Sequence, residues 1–492
     1  MYYVLRKMRP FDSERPTVWE EEFCEAIAAY MREIIRIAAP TVGVYVSCDG
    51  VVCAAKRRQQ RLRRFKGPWV AASEQEVKRL AAAAAASGEE SATTESWDQN
   101  ALTPGSAFMA RLGAHLTRAG AALAAKTGLQ VVVSTTAEPG EGEHKLLAHM
   151  RRVRPESCTI YGLDADLILL AMLLTVDTGG AVNLLREAQE FEGGRSAGGG
   201  GSSGSWRTLD IGALIGVLGI SVLKGQVRDF VAAMTLLGND FLPRSLTRTV
   251  RDDGIPQLLA TLRSLWAAGR TLVDDLGVIR REALLAIVES WAATEEADML
   301  NAVKEARRAA TSPVIGPTPV ETALKEWNAL PARWCSVGRL FGSNEALVPR
   351  WREVYRGSWH AGGVAAYVAG LAWTWDYYSG RPVCQGWSFD EHLPPLWSDV
   401  SAYLKELSVD RIEAPPIVWP TSLPEWVHLL SVLPVASVDR LLPLAQRRLM
   451  TEQPWYWPTS WSLFDIGRGL MWECEAVIPQ IPESVLRGLV AT

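Results

Sequence analysis

Residues 158–173 read CTIYGLDADLILLAML. The β-prone CTIY leads through Gly162 to aspartates at 164 and 166, and an apolar run follows. The pattern reads as a buried strand with polar residues at its far end. In an extended segment Asp164 and Asp166, two apart, point to one face. Working outward, VGVYVSCDG (42–50) reads as a buried strand closing on Asp49, and LQVVVST (129–135) as another strand. Helical patterns lie between them. These are WEEEFCEAIAAYMREIIRIA (19–38), a strongly basic segment over 53–66, an alanine-rich one over 71–90, and TPGSAFMARLGAHLTRAGAALAAKTG (103–128) stopped by Gly128. EPGEGEHKLLAHMRRV (138–153) is a turn leading into a helix. Strands alternating with helices predict an α/β class, a mostly parallel sheet flanked by helices.

Further along, GGRSAGGGGSSGS (193–205) is expected to be a flexible low-complexity loop. Residues 229–310 carry helical patterns, and 345–492 are Trp- and Pro-rich with helices and irregular segments. The expected division is 1–192, the loop 193–205, and a mainly helical region 206–492. Hydrophobic residues make up 48% and charged residues 22%, a soluble globular balance. The net charge of −4 means that any attraction for a polyanion must be local. Seven scattered cysteines with no CxxC argue against a disulfide framework or zinc knuckle and fit a reducing, intracellular compartment. The apolar run 167–176 is about half a membrane span, so no membrane association is expected.

The residues able to do chemistry are acids at expected strand ends: Asp49, Glu141 and Glu143 in PGEGEHK, Asp164 and Asp166, and Asp240 in LLGNDFLP. In a parallel α/β sheet, ligand sites lie beyond the carboxyl ends of the strands. Carboxylates gathered there repel one another unless divalent cations intervene. Mg²⁺ prefers oxygen ligands, and two such ions stabilise the attacking and leaving oxygens of a phosphodiester. Each acid alone is more often a cap, turn or surface residue. The apolar flanks of YGLDADLILL and MTLLGNDFLP weigh against that bland reading.

KRRQQRLRRFK (56–66) holds seven cations and no acid. Lys56, Gln60, Arg63 and Arg64 share one helical stripe about 12 Å long, suited to a terminal phosphate and its neighbour. The alternative is a solvated basic face or a localisation signal. His144 and His149, five apart, lie about 140° apart on a helix and make no zinc face, so a structural or surface role is expected.

In this order the pieces resemble the 5′→3′ exoribonuclease (Xrn) family. They are DGVVCAAKRRQQRLRRFK, ESWDQNALTPGSAFMARL, PGEGEHK, YGLDADLILLAML with NLLRE after it, RDFVAAMTLLGNDFLP, and, later, YVAGLAWTWDYYSGRP, LLSVLPVAS and MWECEAVIPQI, spanning about 43–489. The resemblance implies a PIN- or flap-nuclease-like domain over 1–192 and a second conserved region over 206–492 that contributes Asp240 to the active site. It implies processive release of mononucleotides from 5′-monophosphorylated single-stranded RNA, hence RNA degradation and mRNA decay. It also implies two Mg²⁺ ions, with Mn²⁺ as the substitute, on Asp49, Glu141, Glu143, Asp164, Asp166 and Asp240. Lys56, Gln60, Arg63 and Arg64 fall on the family's 5′-phosphate pocket, and Trp387 in GWSFDEHLPP matches the tryptophan that stacks on the terminal base. The family's opening Asp-x-Asn strand and nearby histidine have no counterpart in MYYVLRKMRPF, where Val4 stands in place of the Asp and no histidine precedes His115. Cys53 stands near the usual proline of the DGVAP motif. The N-terminal segment is therefore expected to be missing or diverged, with one metal poorly held. Two alternatives follow: a catalytically impaired protein that binds RNA 5′ ends, and a flap-type DNA nuclease.

Overall fold

The computed structural model describes residues 1–84, 96–162, 164–188, 206–223, 225–251, 253–357 and 363–490. The loop expected over 193–205 and the Ser/Gly/Glu end of the 71–90 stretch lie outside the described residues. In chain order the first elements are α1 (Tyr2–Leu5), α2 (Pro16–Ala38), β1 (Gly43–Ser47), α3 (Ala54–Ala84), α4 (Ala107–Thr127), β2 (Gln130–Ser134), α5 (Gly142–Val153), β3 (Ser157–Tyr161), α6 (Asp166–Thr178), β4 (Ala181–Glu187), β5 (Trp206–Asp210) and α7 (Ile211–Leu218). Everything later is mainly helical, with short two-stranded pairings. The chain forms two compact units that interleave along the sequence. One takes Met1–Val52, Ala101–Ala232 and Trp375–Pro382; the other takes Cys53–Asn100, Ala233–Thr374 and Val383–Thr492.

In the first unit, β1 and β2 pair in parallel from Gly43↔Gln130 to Ser47↔Ser134. β3 and β4 pair in parallel, and β5 closes antiparallel on β4. The described strands therefore form small separate sheets, of two and three strands, within a mixed α/β unit. Ser106 caps α4, its hydroxyl accepting from Met109 N at 3.1 Å. The buried face of α4 meets α2 through Phe108 stacked on Phe23 at 5.4 Å, and Trp19 also packs on Phe23, at 5.5 Å.

The strand expected to run through 158–173 stops at Tyr161, and α6 begins at Asp166. Leu167, Leu170, Ala171, Met172, Leu173 and Leu174 are each at most 3% exposed. A run this apolar and this enclosed can be a buried strand or a buried helix, and period alone does not choose. Its 13 residues are too long for an ordinary buried strand, and a helix satisfies its own backbone within the segment. Asp164 and Asp166 consequently do not share a strand face. Asp166 is the first residue of a helix, where a carboxylate complements the positive end of the dipole.

In the second unit, α3 is one helix of 31 residues and not two, running through Gly67 and Pro68. Pro68 removes one intrahelical donor, but the packing around the helix holds it. The basic segment is not a solvated face. Arg57, Arg61 and Lys66 are buried at 6%, 2% and 8% exposure. Arg57 pairs with Glu483. Arg61 Nη1 donates to the Ser431 carbonyl at 2.6 Å and Nη2 to that of Tyr456. Lys66 Nζ donates to the Trp472 carbonyl at 2.7 Å and also to those of Met471 and Cys474. A buried cation must find such acceptors or cost several kcal/mol. Some of the late tryptophans serve packing: Trp351, Trp373, Trp375, Trp397 and Trp457 are buried. No described helix is long and apolar enough to cross a membrane.

Candidate active site

The acids of the first unit converge through backbone and tyrosines. After β1 the chain turns at Asp49, whose Oδ1 accepts from Gly142 N, the first residue of α5, at 2.7 Å. That bond ties the DG loop to the PGEGEHK turn. Two more bonds knit the loops together: Gly50 N donates to the Gly140 carbonyl, and Gly140 N to that of Val51, both at 2.8 Å. The approach is so close that a Cβ on Gly50 would lie 1.9 Å from the Glu138 carbonyl oxygen, and one on Gly142 would lie 3.2 Å from Asp49 Oδ1. Lys145 Nζ reaches back to the carbonyls of Thr135 at 2.8 Å and Glu138 at 3.1 Å, fixing the turn.

Glu141 is buried at 3% exposure, and Tyr377 OH donates to its Oε1 at 2.7 Å. Tyr378, the next residue, donates to Asp166 Oδ2 at 3.1 Å. The His144 ring lies 4.1 Å from that of Tyr377 and 6.5 Å from that of Tyr378. Two consecutive tyrosines thus hold one acid from the α5 turn and one from the start of α6. Asp164 is exposed; its carbonyl accepts from Arg186 Nη2 at 2.7 Å.

Ligand atoms of Glu141, Glu143 and His144 all lie within 4.8 Å of one another. That spacing fits donors about 2.0–2.5 Å from a shared divalent cation. Two carboxylates suit Mg²⁺ or Mn²⁺, and the added imidazole suits the softer of the two. His144, expected in a structural or surface role, therefore stands with the candidate ligands, whereas His149 stacks on Tyr45 at 4.5 Å. Sequence reasoning also missed Tyr377 and Tyr378. The only available signal was the pair of polar-tipped aromatics ending an otherwise apolar helix, WTWDYYSG.

The remaining candidates lie in the second unit. An Asx turn places Asp240: Asn239 Oδ1 accepts from Phe241 N at 2.8 Å and Leu242 N at 3.0 Å, and Phe241 packs edge-on to Trp373 at 5.2 Å. Lys56 Nζ donates to Asp240 Oδ2 at 2.7 Å, and Gln59 reaches its Oδ1 at 3.4 Å. Gln60 is buried and accepts from Arg64 Nη1 at 3.4 Å, while Arg63 is exposed. Trp387 is half-buried, its ring 4.9 Å from that of Trp373.

Residues 3–188 match the family described as XRN 5′-3′ exonuclease N-terminus. Its relatives include proteins named 5′-3′ exoribonuclease 2. That of Cryptococcus neoformans var. neoformans serotype D (strain JEC21) is 29% identical over 333 residues, covering 56% of this chain and 29% of that protein. The Yarrowia lipolytica protein is 31% identical over 300 residues, covering 52% and 29%. The Saccharomyces cerevisiae protein is 28% identical over 344 residues, covering 60% and 34%. The chain spans about a third of the length of the curated relatives it matches. The family match opens at residue 3, so the N-terminal segment expected to be missing or diverged is present. Val4, read as replacing an acid, is buried in α1.

Proposed function

We propose that this protein is a divalent-metal-dependent 5′→3′ exoribonuclease that releases mononucleotides processively from 5′-monophosphorylated single-stranded RNA inside the cell. The observation that carries this reading is the pair Tyr377 and Tyr378 holding Glu141 and Asp166, beside a loop that Asp49 ties to the same turn. The parallel pairs β1–β2 and β3–β4 support the finer reading of a PIN- or flap-nuclease-like sheet. Glu141, Glu143 and His144, with Asp49, Asp164 and Asp166 as further acids, would hold two Mg²⁺ or Mn²⁺ ions. Bound there, the ions supply charge stabilisation for the attacking and leaving oxygens of the phosphodiester. Tyr377 and Tyr378 orient the carboxylates. Arg63 and Arg64, with Lys56 and Gln60, receive the 5′-phosphate, and Trp387 stacks on the terminal base.

The test compares RNAs bearing a 5′-monophosphate and a 5′-triphosphate, incubated with the protein and Mg²⁺ or Mn²⁺. Mononucleotides should appear only from the first, and EDTA should stop them. Equal decay of both RNAs, or of neither, would overturn the reading. The Lys56–Asp240 ion pair favours a second reading, since a neutralised Asp240 is a poorer metal ligand. On that view the protein binds RNA 5′ ends without cleaving them. Mononucleotide release that Asp166→Ala abolishes would rule it out.

A further inference from the structure

The cations of α3 that point away from the Lys56, Gln60, Arg63 and Arg64 stripe meet at a cavity. It has a volume of about 330 Å³ and lies wholly in the second unit, lined among others by Arg57, Arg58, Arg61, Trp387, Ser388 and Glu483. The charges there do not balance. Glu483, paired with Arg57, is shared with Arg487, whose Nε donates to it at 2.8 Å. Of the other acids near Arg58, Asp390 is 60% exposed in its side chain and stands 3.8 Å from Arg58 Nε, beyond hydrogen-bond reach, and Glu475 is held by His392 at 2.6 Å and Arg468 at 2.8 Å. Arg61 has no carboxylate partner among the described residues; it donates to two carbonyls and lies over the Phe65 and Trp457 rings, none of which carries a full negative charge. The Nε atoms of both Arg58 and Arg61 are buried with no hydrogen-bond partner. An unmatched buried guanidinium costs several kcal/mol, and buried polar atoms without partners call for an explanation.

We propose that this cavity is an anion site, separate from the 5′-phosphate stripe, that takes a phosphate-class dianion between Arg57, Arg58 and Arg61. Forked guanidinium donors match tetrahedral phosphate oxygens, and a dianion supplies the negative charge that the lining lacks. Burial pulls the Arg61 guanidinium down to about 9, which still leaves it charged at neutral pH. A phosphate beside it would raise that value again.

The experiment measures inorganic phosphate binding by titration calorimetry at constant ionic strength. It uses the full chain carrying Arg64→Ala, so that the stripe does not contribute. One phosphate should bind. Adding Ser388→Asp places a carboxylate in the cavity without removing a guanidinium, and should weaken binding at least tenfold while leaving the phosphate-free Tm within a few degrees. Adding Arg58→Ala instead should do the same. No binding to the Arg64→Ala protein would overturn the proposal. So would unchanged affinity on adding Ser388→Asp. Neither result depends on whether the protein cleaves RNA, so the nuclease reading stands or falls separately.

Discussion

Replacing Tyr377 with phenylalanine removes one oxygen atom and little else. The ring that lies 4.1 Å from His144 stays, so packing beside the turn is preserved. What is lost is the hydroxyl that donates to Glu141 Oε1 at 2.7 Å, on a carboxylate only 3% exposed. A hydrogen bond to a charged group contributes about 1.5–3 kcal/mol. Outer partners of metal ligands typically change affinity by about 10–100-fold. Tyr377→Phe should therefore raise the Mg²⁺ or Mn²⁺ concentration for half-maximal cleavage by about 10–100-fold, with little change in the rate at saturating metal. The assay is single-turnover cleavage of a 5′-monophosphate RNA across a metal titration, with Tm read in parallel. The hydroxyl must act on the metal-holding geometry of Glu141. An unchanged metal midpoint in Tyr377→Phe, beside a Glu141→Ala protein that has lost activity, would refute this.

Asp166→Ala should abolish cleavage and leave RNA binding, measured by fluorescence anisotropy, within about threefold, because the role proposed for Asp166 is to hold metal and not to donate to phosphate. Arg64→Ala should cost mainly selectivity, narrowing the preference for 5′-monophosphate over 5′-hydroxyl RNA by about tenfold or more. Gly50→Ala should lower Tm by several degrees, because its Cβ would sit 1.9 Å from the Glu138 carbonyl oxygen and the two loops would have to part. Burial alone would raise Glu475, but the His392 hydrogen bond at 2.6 Å and the Arg468 and Arg58 guanidiniums pull it down to about 2. Its folded value lies below its unfolded one. Its stabilising contribution is therefore present above the usual carboxylate range and is lost as pH falls towards 2. Glu475→Gln should flatten that part of the acid-unfolding curve, followed by circular dichroism.

The acids at turns were legible because their signals are local. Asp49 follows a five-residue apolar strand, and Glu141 and Glu143 sit where Pro139 and Gly140 force a turn into a helix. The 158–173 stretch misled because an apolar run enclosed on all sides has no amphipathic period to read, so its strand and helix solutions look alike. Gly67 and Pro68 lie between the basic helix read over 53–66 and the helix-prone stretch from 71, yet α3 runs through both. Local propensity disfavours continuation, but contacts from distant parts of the second unit override it. Tyr377 was invisible because it meets Glu141 across 236 residues of chain. No spacing rule reaches that far. Likewise the seven cations of 56–66 look alike in sequence, and only the fold separates those that grip carbonyls from those on the stripe.

The long reach of α3 bears on how the protein is made. Arg57, Arg61 and Lys66 find their acceptors between 370 and 426 residues further along the chain. A nascent polypeptide leaving the ribosome carries this helix through at least 370 further residues before those acceptors exist. Until then the three side chains must remain hydrated, and the surfaces that will enclose them stay open to water. Completion of the second unit thus waits on residues 431–483. A chain cut near residue 470 would leave Arg57 without Glu483 and Lys66 without its three carbonyls, a natural substrate for chaperones and proteases.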